Sequence, residues 1–106
     1  RQEHFITITL TGASNMIKKR TVFKGTINFS VVHPREVFAD ALTDRAAGII
    51  FVHNHPENDV KPSEKDKIIT KQLCDAAKLL GIQVIDHIIV TNNDHFSFQS
   101  EGLLNL

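Results

Sequence analysis

The chain has 106 residues, 42% of them hydrophobic and 23% charged, with twelve Lys and Arg against twelve Asp and Glu. That length fits one domain, the composition argues against disorder, and zero formal charge argues against a strong non-specific grip on nucleic acid. One cysteine excludes an internal disulfide framework and fits a reducing compartment, so a cytoplasmic location is expected. The longest apolar runs, such as Ala46 to Val52, fall far below the ~20 residues a bilayer span needs. The sequence opens on Arg1 and reads as a strand almost at once. It is therefore expected to be a single domain over residues 1–106, from the C-terminal part of a longer protein. Six histidines, and seven Phe with no Tyr or Trp, are the unusual counts.

Phe5 to Leu10 alternates, with Ile6, Ile8 and Leu10 on one face, and reads as a strand. Gly12, Ser14 and Asn15 form a turn cluster, and Ile17 to Phe23 gives a second strand, so a hairpin is predicted. Gly25 to Val32 is extended, with a bend at Gly25. His33-Pro34 opens a helix, because proline suits a first turn. Its predicted apolar stripe is Val37, Phe38, Ala41 and Leu42. Ala47 to Val52 reads as a strand buried on both faces, and Pro56 to Pro62 as a polar loop. A long helix runs from Ser63 to about Leu80, stopped by Gly81, with Ile68, Ile69, Leu73, Ala76, Ala77 and Leu80 as its buried stripe. Gln83 to Val90 is a strand, Asn92 to Asp94 a turn, and His95 to Phe98 a last short strand. Strands mixed with two main helices imply an α/β sandwich around a central mixed sheet.

The chemistry concentrates in His53-Asn54-His55-Pro56 followed by Ser63-Glu64-Lys65-Asp66. His53 and His55 are two apart at a strand end, so both imidazoles point to one side. Strand ends in α/β sheets are favoured ligand sites. Asp66 and Ser63 share a face of the first helical turn. If the loop folds back, two imidazoles and a carboxylate converge, a three-ligand zinc set with a fourth position left for water. Ser63-x-x-Asp66 also has the form of a capping box, and His-x-His alone is a weak signal. The joint pattern, with seven residues between its halves, is far more specific.

That joint pattern resembles the metal-binding motif of the JAMM/MPN+ metalloproteases. Within that superfamily the chain is similar to the RadC family of bacterial proteins over nearly its whole length. The matching pieces are Gly25-Thr26-Ile27, His33 to Phe38, Ala46-Ala47, the His53 to Pro56 block, Pro62-Ser63 with Asp66, Leu80-Gly81-Ile82 and Asp86 to Val90. The resemblance implies a JAMM/MPN+, cytidine-deaminase-like α/β sandwich, a mixed sheet flanked by two main helices. It implies His53, His55 and Asp66 as zinc ligands and Ser63 as a holder of the oxyanion. It further implies Glu3 as the general base that takes a proton from metal-activated water. Residue type alone leaves Glu36, Glu57, Glu64 and Glu101 as candidates beside Glu3. Strand parity puts Glu3 on the Phe5 face, opposite Ile6 and Ile8. The family usually reads His-Asn-His-Pro-Ser-Gly, whereas Glu57-Asn58 follow Pro56 here. Asparagine tolerates a left-handed backbone, which would preserve the turn, and Glu57 is expected to face solvent.

His87, after Asp86 in an apolar strand, is read as a hydrogen-bonded structural histidine, with support of the metal ligands as the alternative. His33 is expected near a helix cap, His4 on the strand face away from Glu3, and His95 exposed. Arg35 and Glu36 read as surface charges, and Cys74 has no neighbouring base in the sequence to make it a nucleophile. The adjacent letters His-Asn-His do not make an HNH nuclease, whose residues are spread along a ββα unit. The resemblance thus implies a zinc-dependent metallopeptidase or isopeptidase acting on a protein or peptide, without a membrane partner. The alternative is a DNA-repair-associated accessory or interaction module, after the family's historical label. Neutral charge does not support direct DNA contact by this domain.

Overall fold

The computed structural model describes residues 2–26 and 32–104. In chain order it has β1 (Glu3–Leu10), β2 (Met16–Gly25), α1 (Pro34–Thr43), β3 (Gly48–Asn54), α2 (Glu64–Leu80), β4 (Gln83–Val90) and β5 (His95–Ser97). The five strands form one open sheet in the order β2-β1-β3-β4-β5. Only β3 and β4 pair in parallel, joined by the α2 crossover; the other neighbours are antiparallel. The fold is thus α/β with a mixed sheet and two helices, as the sequence implies. Most of the extended segment expected over Gly25 to Val32 lies outside the described residues. No helix among those residues is long and apolar enough to cross a membrane.

Both helices pack on the same face of the sheet. Phe5 of β1 and Ile49 and Phe51 of β3 share one core with Val37, Phe38 and Ala41 of α1 and Ile69, Leu73 and Ala77 of α2. This one-sidedness corrects three expectations. The face carrying Ile6 and Ile8 is only half-buried, while Phe5, Thr7 and Thr9 on the other face are buried. β3 is buried on one face through Ile49, Phe51 and His53, with Ile50 and Val52 half-exposed opposite. On the helices, Leu42, Ile68 and Leu80 stand 49%, 48% and 42% exposed. The true stripe of α2 runs through Asp66, Ile69, Thr70, Leu73, Cys74 and Ala77.

The helix ends follow local chemistry. His33 caps α1, its Nδ1 accepting from the Arg35 N–H at 3.1 Å, which is the cap role expected for it. Ser63 caps α2, and Gly81 ends it with a left-handed φ of 73°. The outer hairpin is pinned to the α1 terminus by Asp44, whose carboxylate accepts both Arg20 guanidinium N–H groups at 2.7 and 2.8 Å and the Thr9 hydroxyl at 2.8 Å.

Candidate metal centre

The parallel β3–α2–β4 unit builds the site. A crossover helix starts where the preceding strand ends, so the first turn of α2 lies beside the C-terminal end of β3. β3 delivers His53 to the helix-covered face and continues into His55. The capping box then fixes the first turn of α2. Ser63 Oγ accepts the Asp66 N–H at 3.0 Å, and Asp66 Oδ2 accepts the Ser63 N–H at 2.8 Å. The capping-box and metal-ligand readings of Ser63-x-x-Asp66 are therefore compatible, because the boxed carboxylate turns Oδ1 to His53 and its Oδ2 also reaches His55.

One donor atom from each of His53, His55 and Asp66 lies within 4.8 Å of the others, a grouping that can hold a metal ion. His55 Nε2 is 3.0 Å from Asp66 Oδ2, and His53 Nε2 is 3.4 Å from Asp66 Oδ1. The second approach does not have hydrogen-bond geometry, and the fully buried His53 Nε2 has no hydrogen-bond partner. A buried polar nitrogen without a partner is costly, and a metal ion would satisfy it. Burial alone would raise the Asp66 pKa. The approach of His53, the Ser63 N–H and the electrostatic influence of both histidines outweigh it and hold Asp66 well below the ordinary carboxylate range. Two imidazoles and an anionic carboxylate suit zinc.

Glu3 and Ser63 line the same open cleft as His55 and Asp66. Four of the five residues that the sequence singled out thus line one cleft, and the fifth, His53, is grouped with His55 and Asp66 of that cleft. Glu3 sits at the N-terminal end of β1, half-buried on the Phe5 face, which is the face of the site because Phe5 stands opposite His53. Desolvation raises the Glu3 pKa, against the lowering influence of His53 and His55. Glu57 is exposed but lines this cleft and adds to the rise at Glu3. Asn58 is not left-handed; among the described residues only Ser14 and Arg45 are non-glycines with positive φ. The loop is held instead by the Asp59 N–H bonding to the Glu57 carbonyl and by the Asp59 carbonyl 2.8 Å from His55 Nδ1. A larger cavity between α2 and β4, lined by Ala77, Ile82, Ile85 and Leu104, contains none of these five residues.

Two further polar groups, His87 and Thr70, adjoin His53 and Asp66. His87 is fully buried, its Nε2 2.7 Å from His53 Nδ1 and its Nδ1 2.6 Å from Thr70 Oγ1. The Phe98 ring stacks on it at 4.6 Å, and Phe5 and Phe51 meet it edge-on. Desolvation lowers the His87 pKa well below that of a free histidine, so it is neutral. His87 is thus a buried, hydrogen-bonded histidine in contact with His53. Thr70 escaped notice in the sequence, although a threonine one turn after Asp66 inside an apolar stripe is a usable signal.

A mixed α/β sheet with a His-His-Asp cluster at the end of its parallel strand defines a JAB-type domain. The model of the RadC-like JAB domain family matches residues 1–103, and the chain belongs to that family. It is 53% identical over 103 residues to a UPF0758 protein of Methanospirillum hungatei, covering 97% of the chain and 46% of that protein. A UPF0758 protein of Trichlorobacter lovleyi is 48% identical over 104 residues, covering 98% and 45%. One of Bacillus licheniformis is 47% identical over 103 residues, covering 97% and 46%. The chain thus spans less than half the length of these relatives.

Proposed function

We propose that this domain is a zinc-dependent hydrolase that cleaves an amide or isopeptide bond in a protein or peptide. The observation that carries the reading is the buried, partnerless His53 Nε2 facing the donor atoms of His55 and Asp66, in a chain of the RadC-like JAB family. His53, His55 and Asp66 would hold the ion, which supplies Lewis acidity and lowers the pKa of bound water towards about 7. Glu3, partly desolvated at the cleft wall, is the general base; its raised pKa strengthens its hold on a proton, which it returns to the leaving amine. Ser63 Oγ accepts within the capping box, so its O–H remains to donate to the charge developing on the substrate carbonyl oxygen. The single buried thiol, Cys74, fits action in the reducing cytoplasm.

Protein purified without chelator should carry about one zinc per chain. It should cleave members of a panel of peptide and isopeptide-linked substrates, and Glu3→Gln should abolish cleavage while leaving zinc content unchanged. Folded wild-type protein that takes up no zinc at neutral pH overturns the reading.

A further inference from the structure

We infer that His87 is a positioning residue that, through a one-way chain of hydrogen bonds anchored on Thr70, fixes the His53 ring as the Nδ1–H tautomer and leaves the Nε2 lone pair free for a metal. The inference rests on the metal-site reading and goes beyond it to a residue outside the ligand set.

The polarity follows from donor and acceptor arithmetic. Thr70 Oγ1 lies 2.8 Å from the Asp66 carbonyl oxygen and 2.6 Å from His87 Nδ1. A hydroxyl has one proton, and a carbonyl can only accept. With the Thr70 proton on the Asp66 carbonyl, Oγ1 must accept from His87 Nδ1–H. His87 has no solvent exposure and is enclosed by phenylalanine rings, an environment that excludes a second ring proton. Its Nε2 is then a lone pair and accepts from His53 Nδ1–H at 2.7 Å. The opposite polarity would take the Thr70 proton away from the Asp66 carbonyl and put one on the buried His53 Nε2, which approaches Asp66 Oδ1 at 3.4 Å without making a hydrogen bond. In the first arrangement Thr70 Oγ1, both His87 nitrogens and His53 Nδ1 are all partnered, and the His53 Nε2 lone pair is left over.

The chain also joins two ligands that come from different elements. Thr70 is bonded to the backbone of Asp66 on α2, and His87 on β4 carries the link to His53 on β3. Partners of this kind orient a ligating imidazole and raise its basicity.

The test pairs two variants with one measurement on the unaltered protein. His87→Phe keeps a ring between Phe98, Phe5 and Phe51 but removes the acceptor. His87→Gln places Oε1 near the position of Nε2 and restores it. Zinc affinity, from competition with a chromogenic chelator, should fall roughly 10–100-fold in His87→Phe and stay close to wild type in His87→Gln. Nitrogen-15 imidazole shifts of metal-free wild-type protein should show His53 and His87 both protonated at Nδ1. His87→Phe with wild-type affinity, or His87→Gln as impaired as His87→Phe, would overturn the inference. A proton on His53 Nε2 in the wild-type spectrum would overturn it even if neither variant folds. Wild-type protein that binds no zinc yet shows the stated tautomers would count against the hydrolase reading and leave the positioning role intact.

Discussion

Replacing Asp66 by Asn separates the metal site from the helix cap that shares its residues. Asn keeps an oxygen where Oδ2 now accepts the Ser63 N–H at 2.8 Å, and its backbone N–H still donates to Ser63 Oγ at 3.0 Å. Its amide nitrogen then takes the place of Oδ1, 3.4 Å from His53 Nε2. The metal-free cost is then only the difference between a charge-assisted and a neutral hydrogen bond, about 1 kcal/mol. What disappears is the anionic ligand. A ligand at 100 times its dissociation constant stabilises a fold by about 2.7 kcal/mol. For a domain of about this size each kcal/mol moves the melting temperature by roughly 4–8 °C, so saturating zinc should raise wild-type melting by roughly 10–20 °C.

The assay is a thermal melt of wild type and Asp66→Asn with chelator and with zinc. The two proteins should melt within about 8 °C of each other in chelator, and only wild type should rise with zinc. If Asp66→Asn shows the full rise, the carboxylate is not a ligand and the three-residue site is wrong. If Asp66→Asn is grossly destabilised in chelator, Asp66 is first of all a structural anion, and the division of labour argued above fails.

Ser63 can be tested for two jobs with two variants: Ser63→Ala should cost about 1 kcal/mol of stability and Ser63→Gly only a few tenths, whereas both should lower turnover by about 10²–10³-fold if the hydroxyl stabilises the oxyanion. Equal turnover in wild type and both variants would restrict Ser63 to the cap. Asp44 is held at a pKa of about 2, first by its Arg20 hydrogen bonds, with further help from Thr9. Because the folded value lies below the unfolded one of about 3.9, the stabilisation is complete above about pH 4 and is lost as pH falls towards 2. Asp44→Asn should flatten that part of the acid unfolding curve, and an unchanged curve would show that the Arg20 clamp contributes nothing. Phe51→Ala removes a ring with no solvent exposure that sits 6.1 Å from Phe38 and 5.9 Å from His87. It should cost about 3–5 kcal/mol in chemical denaturation, and a loss below about 1 kcal/mol would mean the core is not organised around it.

The elements that punctuate themselves were legible in the sequence. His33-Pro34 marks the start of α1, while Ser63-x-x-Asp66 and Gly81 bracket α2, because caps are local chemistry. The candidate ligand set was legible for a related reason: both histidines lie on one short segment, and the topology alone brings α2 beside it. Which faces are buried was not. Apolar periodicity marks a surface that prefers to leave water but not the side on which the helices settle. With α1 and α2 on one face, Ile6, Ile8, Ile50 and Val52 remain half-exposed, while Thr7 and Thr9 are buried. Polar residues inside were invisible to a pattern that counts only hydrophobic ones, so Asp66 and Thr70 were missing from the predicted stripe of α2.

The placement of His87 shows what periodicity cannot reach. Ile49 pairs with Val84, and both face the helices. Strict alternation from Val84 would put Asp86 under the helices and turn His87 outward. The register shifts by one residue between Ile49 and Ile50, so Ile50 pairs with Asp86 and Phe51 with His87. The inserted residue, Ile85, inverts the parity of the rest of β4. His87 is thereby turned under His53. Asp86 is left to accept the Ser97 hydroxyl at 2.6 Å and the Gln99 N–H at 3.0 Å, beside the Phe98 that stacks on His87. A single bulge thus sends one residue of the Asp-His pair to the metal centre and the other to the clamp that closes the aromatic wall behind it. Regular pairing of Ile85 with Ile50 would exchange the two, burying a carboxylate where His53 needs a neutral acceptor. Which member of the Asp86-His87 pair faces the helices is therefore set by the irregularity in the strand that carries them.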